Sequence, residues 1–212
     1  MSVSSLKDEV KHEIRTAIIS NKLKPGERIV ETEIAKKFSI SQVPVREALR
    51  GLEEEGLVRT VKYKGAFVTE IDPSEIYHIF LLRSEIESNV IEMILPKLTK
   101  QQLAELDEIV EKMQINENTE DDASLSALDL EFHSKIIQWG KIETYNRIWN
   151  MLYGHILRFN AYMQPNIQYK KAEMYGDHKR LVHILATGDV EKAKAAFQTH
   201  IMLYFSINKI HS

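Results

Sequence analysis

Apolar positions recur along this chain with two different spacings. From Leu6 to Ser20 they fall at Val10, Ile14, Ala17 and Ile18, one face of a 3.6-residue period, which predicts a helix. Pro25-Gly26 then signals a turn, and "ETEIAKKF" reads as a short helix buried through Ile34, Ala35 and Phe38. "SIS" connects it tightly to a helix opening at Gln42, with Ser41 at the N-cap position and Gly56 closing the far end. Pro44 sits in the first turn of that helix, where backbone N–H groups have no intrahelical acceptor and a residue without one loses little. The period then drops to two. "LVRTVKYKGAFVTEI" places strand formers on either side of Lys64-Gly65, a β-hairpin, and Asp72-Pro73 supplies a linker.

No strand pattern follows Ser74. Ile76, Ile79, Phe80, Arg83, Ile86, Val90 and Ile94 mark one long helix, and Thr99-Lys100-Gln101-Gln102 is a capping-box pattern opening the next. Helices are expected over 123–139, 142–160, 168–186 and 189–210, broken by the polar run "NENTEDD", Gly140, Pro165 and "TGD" at 187–189. The predicted fold is mainly α: a winged helix-turn-helix with a small β-hairpin wing over 1–72, then an antiparallel all-α bundle of about six helices over 73–212.

Composition narrows the function. At 43% hydrophobic and 28% charged, the chain has the apolar content for a real core. No stretch approaches the roughly 20 apolar residues of a membrane span, and the first residues lack the apolar core of a signal peptide. Zero cysteines exclude disulfides, thiolate metal sites and a thiol nucleophile, so cytoplasm is the expected location. The net charge of −3 conceals a division: residues 1–72 hold 13 Lys+Arg against 12 Asp+Glu, the remainder 15 against 19. A near-neutral front unit can still present a basic face.

Two short helices across a tight turn, followed by a hairpin, suit DNA: the second helix enters the major groove N-terminus first and the wing reaches backbone or minor groove. That directs Ser41, Gln42 and Val43 toward base edges and phosphates, with Arg46 one turn in, suited to guanine or phosphate. Lys62 and Lys64 on the wing suit phosphate, and Gly65 permits close backbone approach. Shape alone fits a generic small domain with solvated charges equally well. The residues go further. "LKPGERIVETEIAKKFSISQVPVREALRGLEEEGLV" followed by "GAFV" resembles the N-terminal signature of GntR-type bacterial transcription regulators over about 45 residues in register. The resemblance implies DNA contacts from Thr32, Ser41, Gln42, Val43, Arg46 and the wing around Gly65. Two departures stand out: the family often has arginine where this chain has Gln42, and a basic residue where it has Thr32. Glutamine pairs well with adenine, so the operator preference is expected to differ.

In the back half, helical spacing puts polar residues where apolar ones belong. Asp129 and His133 stand i, i+4, on one helix face with Leu125, Phe132 and Ile136 nearby. His178 lies on the stripe Leu181, Val182, Leu185, and His200 on the stripe Ala193, Phe197, Tyr204, Ile207. Buried unpaired, four such groups would cost several kcal/mol, so they satisfy one another or share an ion. One carboxylate and three imidazoles suit zinc, nickel or manganese. His12, His78, His155, His183 and His211 form no comparable set, and His183 reads as surface.

"DLEFHSKI" and "GDHKRLVHILATGDVEKAKAAFQTHI" look like the FCD ligand-binding domain of the FadR-type branch of GntR regulators. The resemblance implies a metal site made by Asp129, His133, His178 and His200, with zinc first among the metals. It also argues against a fatty acyl effector, since acyl-CoA-binding members lack the complete set. Arg83, in the centre of an apolar stripe, needs an anionic partner. Either a neighbouring acid such as Glu87 fills that role, or the carboxylate of a ligand lying on the metal does. In the second case Arg83, with Tyr153 and Asn160 as further lining, completes a pocket for a small organic acid.

The expected function is a homodimeric, DNA-binding transcription regulator, a repressor by the family's commoner outcome, with a metal and a small carboxylate effector and no enzyme activity. Two alternatives remain at this point. An open metal site could activate water, although no HExxH occurs and no free general base can be named. Or the ion is purely structural and there is no effector.

Overall fold

A computed structural model describes residues 3–117, 122–163 and 171–208. The front unit comprises α1 (Val3–Ile19), β1 (Arg28–Ile29), α2 (Glu31–Phe38), α3 (Gln42–Glu54), β2 (Val58–Val61) and β3 (Gly65–Val68). Val10, Ile14 and Ile18 of α1 meet Val45, Ala48, Leu49 and Leu52 of α3 in its core, as the helical stripe requires. The helix-turn-helix is closed by Ser39 in the left-handed region (φ 55), whose N–H bonds Lys36 O at 3.2 Å. Ser41 takes the N-cap position in extended conformation but makes no side-chain cap bond.

The wing is larger than a hairpin. Its three strands are antiparallel in the order β1-β3-β2, Arg28 pairing with Phe67 and Val58 with Val68. A two-residue strand is too short to leave a period-two signal, so β1 was not legible in the pattern. It follows the Pro25-Gly26 turn, where Gly26 N–H donates to Val68 O (3.0 Å) and Val68 N–H to Glu27 O (2.8 Å). The hairpin turn is centred on Tyr63 (φ 65), one residue before the expected Lys64-Gly65, and Gly65 (φ 99) begins the return strand.

The remaining helices are α4 (Pro73–Ile94), α5 (Lys100–Glu117), α6 (Asp122–Trp139), α7 (Glu143–Met163), α8 (Lys171–Thr187) and α9 (Val190–Asn208), with a 3-10 turn at Leu95–Lys97. Asp72 caps α4 by accepting from Ser74 N–H at 2.9 Å, with Pro73 in its first turn. Before α5, Gln102 N–H donates to Thr99 Oγ1 (3.2 Å) while Thr99 N–H donates to Gln102 Oε1 (3.0 Å), the reciprocal capping box. α4 packs on α9, α7 and α6; α5 packs on α6 and α8. No described helix is long and apolar enough to cross a membrane. Pro165, His211, most of "NENTEDD" and the side chains of Tyr204 and Ile207 lie outside the described residues.

α7 also touches the front unit. Gly154 lies against the Glu55 carbonyl so closely that a Cβ there would sit 2.6 Å from it, and the His155 ring covers Gly56. Three residues on, Arg158 is buried and donates from Nη2 to the Thr69 carbonyl. Burial pushes the Arg158 guanidinium down to about 10. Burial, reinforced by Arg158, pushes His155 down as well.

Candidate metal centre and nucleic-acid interface

Four helices converge on one buried polar cluster. α6 supplies Asp129 and His133, one turn apart; α8 supplies His178; α9 supplies His200; α4 supplies Arg83 and Glu87. One ligand atom from each of Asp129, His133, His178 and His200 lies within 4.8 Å of all the others. His178 Nε2 stands 3.1 Å, and His133 Nε2 3.7 Å, from Asp129 Oδ1. The His178 and His200 rings meet edge-on at 4.6 Å, and His133 stacks on His200 at 5.4 Å. Phe132 and Phe197 close over the rings, which restricts their rotation.

The orientation of each ring is informative. His178 Nδ1 is 2.8 Å from the Met174 carbonyl, which can only accept, so that nitrogen carries a proton and Nε2 is the one that faces the cluster. His133 Nδ1 is 2.5 Å from Glu87 Oε2, which likewise leaves Nε2 facing the cluster. Buried His133 Nε2, His178 Nε2 and His200 Nδ1 have no aligned hydrogen-bond partner among the described residues. Unpartnered buried ring nitrogens are costly, and three aimed together beside a carboxylate fit a divalent ion.

The electrostatics point the same way. Burial acts to raise the Asp129 carboxyl, but the His178 ring and the charges of His133 and Arg83 outweigh it and hold it well below the usual carboxylate range. Burial pushes His133 down despite Glu87, and pushes His200 well down with reinforcement from His178 and His133. A carboxylate held toward its anionic form, beside His133 and His200 pushed toward their neutral forms, approaches the donor set a metal needs.

Arg83 answers the question raised by its place in an apolar stripe. It is 3% exposed, and its Nε donates to Glu87 Oε1 at 2.8 Å. Its guanidinium lies between Phe80 (5.5 Å) and Trp149 (5.7 Å). Nη2 remains without a hydrogen bond, 3.9 Å from Asp129 Oδ2. The neighbouring acid is therefore real, and a second donor is left over beside the cluster. The Glu87–His133 bond was not anticipated. Only the Arg83 half of this arrangement left a signal, since Glu87 stands i, i+4 from Arg83 on the buried side of α4. Tyr153 and Asn160 on α7 are half-buried, and no hydrogen bond among the described residues ties either to the cluster. Burial raises the Tyr153 hydroxyl, opposed by Arg15 and aided by Glu131 and Asp129. His183 is exposed, as expected.

At the other end, Thr32, Ser41, Arg46, Lys62 and Lys64 are exposed, Val43 is 58% exposed, and Gln42 and Gly65 are half-buried. Pro44 is buried, so it anchors the start of α3 from inside while Val43 projects. Arg46 donates from Nε to Glu31 Oε2 (2.7 Å) and from Nη2 to Gln42 Oε1 (3.0 Å), which holds it along the first turn of α3. Tyr63, at 94% exposure with Lys62 Nζ 5.1 Å from its ring, stands at the wing tip and was not among the expected contacts.

The pattern of "Bacterial regulatory proteins, gntR family" matches residues 6–68, and that of the FCD domain matches residues 78–202. The HTH-type transcriptional regulator YdhC of Bacillus subtilis is 25% identical over 92% of this chain and 85% of its own length. The gluconate operon transcriptional repressor of the same organism is 29% identical over 86% of this chain and 73% of its own. Among solved structures, Escherichia coli McbR/YncC superposes with a TM-score of 0.79 at 22% identity, covering 98% of this chain and 97% of that one. A GntR transcriptional regulator from Rhodococcus sp. RHA1 gives 0.83 at 20% identity, covering 98% and 100%; both likenesses concern the fold.

Proposed function

The chain belongs to the gntR family of bacterial transcription regulators, in the form that carries an FCD domain, and on that premise we propose a metal-dependent, effector-gated DNA-binding repressor. In this reading residues 1–72 read operator DNA, through Thr32, Ser41, Gln42, Val43, Arg46, Lys62, Lys64 and Gly65. Residues 73–212 bind a metal and an effector and form the homodimer that two half-sites call for. The protein acts in the cytoplasm.

The observation that carries the proposal is the convergence of three unpartnered ring nitrogens on Asp129, with Arg83 Nη2 left over beside them. Asp129, His133, His178 and His200 would hold one divalent ion, zinc first, with nickel or manganese as alternatives. The ion supplies a Lewis-acidic, positively charged anchor for a carboxylate. Arg83 contributes the second point of attachment, with Tyr153 and Asn160 on the α7 side. Glu87 has both oxygens engaged, by Arg83 and His133, which favours a binding role over turnover. To act as a switch, the effector must favour one arrangement of the two units by a few kcal/mol.

Elemental analysis with a native mass tests this directly. About one transition metal per chain in a dimer is expected for wild type, and loss of metal from His178→Ala and His200→Ala. Zinc at about a hundred times its Kd should raise wild-type stability by roughly 2.7 kcal/mol and leave both variants unmoved. Full occupancy in the variants would dissolve the ligand set. Di- and tricarboxylates should then raise the melting temperature of the metal-loaded protein and change its operator affinity.

A further inference from the structure

Glu87 is the one buried carboxylate of the cluster that the proposed ligand set leaves out. It is fully enclosed, and its two oxygens face in different chemical directions: Oε1 takes Arg83 Nε–H at 2.8 Å, Oε2 takes His133 Nδ1 at 2.5 Å. We propose that Glu87 is the positioning residue of the centre. It sets the His133 tautomer so that Nε2 presents its lone pair to the ion, and it aims the guanidinium of Arg83 so that Nη2 faces the same place. This rests on the metal reading above and adds what that reading does not contain, a single residue that orients both the ion's ligand and the effector's anchor.

A neutral imidazole carries one proton, and the nitrogen that carries it cannot bind a metal. An ionised carboxylate only accepts, so His133 must place its proton on Nδ1. Replace the carboxylate by an amide, as in Glu87→Gln, and the logic inverts. Arg83 Nε–H still demands an acceptor, so the amide oxygen turns to Arg83 and the amide NH2 turns to His133. Nδ1 must then accept, the proton moves to Nε2, and the ligand lone pair is gone. Arg83 is what locks the amide in that orientation. Removing the guanidinium together with the carboxylate frees the amide to rotate its oxygen back toward His133, and the ligand tautomer returns.

Two measurements test this on the full-length protein. The first reads the His133 ring nitrogens by 15N NMR in the metal-free state. Wild type should show the Nδ1–H tautomer, Glu87→Gln the Nε2–H tautomer, and Glu87→Gln/Arg83→Met the Nδ1–H tautomer again. The second is zinc affinity by competition with a chromogenic chelator. Glu87→Gln should bind about 10–100-fold more weakly than wild type, and the double variant should recover most of that loss. A merely structural Glu87 predicts no tautomer inversion, and a double variant that binds no better than the single. Wild-type His133 protonated on Nε2 would overturn the proposal even if neither variant folds. Zinc failing to bind wild type while the tautomers behave as stated would remove the metal reading alone.

Discussion

Two of the molecule's Arg–Glu ion pairs sit in two different solvents. Arg46 meets Glu31 at 2.7 Å with side chains 64% and 28% exposed; Arg83 meets Glu87 at 2.8 Å with side chains 3% and 0% exposed. Distance does not tell them apart, but surroundings do. Near the surface, water screens both partners and the pair contributes about 0.2–1 kcal/mol. In the bundle, each charge has lost its hydration and depends on the other. The Arg46 pair is therefore open to exchange: another partner, DNA in the reading proposed above, would replace Glu31 and Gln42 at little cost. The bundle keeps its arginine fixed, because the role proposed for it is to hold a direction while a ligand arrives.

The largest way to break this comparison is to remove the arginine of the buried pair. Arg83→Ala leaves Glu87 enclosed with only His133 and opens space between Phe80 and Trp149. Stability should fall by about 3–5 kcal/mol, as for other uncompensated buried charges. Urea unfolding followed by tryptophan fluorescence reads it cleanly, since the two tryptophans, Trp139 and Trp149, both lie in the bundle. A loss below about 1 kcal/mol would place Arg83 with the surface pairs.

Acidification of the metal-free protein should separate the two units next. His133 and His200 are pushed below the ordinary histidine value in the folded chain. Between that depressed value and about 6.5 the unfolded chain binds more protons, so stability rises with pH and is lost as pH falls through that window. Each group contributes up to roughly 1.4 kcal/mol per pH unit there. In the front unit the shifted acids are Glu13, held down by Lys37, and the more enclosed Glu55: burial raises Glu55, but Arg15 and Lys11 outweigh this and hold it below the usual carboxylate value. Its contribution is present above about 4.5 and is lost only as pH falls further. Tryptophan emission should thus report weakening of the bundle from about pH 6.5 downward, while far-UV circular dichroism retains the front unit's helical signal to lower pH. Simultaneous loss of both signals near about pH 4 would place the bundle histidines outside the acid response.

How far the sequence went depends on the range of the interaction. The helices were legible because periodicity is local: α3 opens at Gln42 and the Thr99/Gln102 box opens α5 as their residue order requires. The gathering of Asp129, His133, His178 and His200 was legible in part for a related reason, since each stood on an apolar stripe and needed a partner; spacing left a shared ion open, and the likeness to the FCD domain named the set. What escaped was pairwise and long-range. No pattern in the chain says that Glu87 meets His133, 46 residues away, or that Arg158 reaches the Thr69 carbonyl across 89. β1 escaped because two residues carry no period. Ser41 was placed correctly at the N-cap, but it is exposed and makes no side-chain cap bond.

The smallest effect on stability belongs to Arg46→Ala, and it is the sharpest test of the contrast. The side chain is exposed and its partners Glu31 and Gln42 remain solvated without it, so unfolding free energy should change by less than about 0.5 kcal/mol. DNA affinity should nonetheless fall by about 1–3 kcal/mol if Arg46 meets a base edge. A phosphate contact would instead weaken all sequences alike and lower the salt dependence of binding by about one ion. Measuring wild type and variant on operator and on random DNA, at two salt concentrations, separates these outcomes. Unchanged affinity on both would remove Arg46 from the reading surface. It would leave the Glu31–Arg46 pair as a surface contact that contributes little to either folding or recognition.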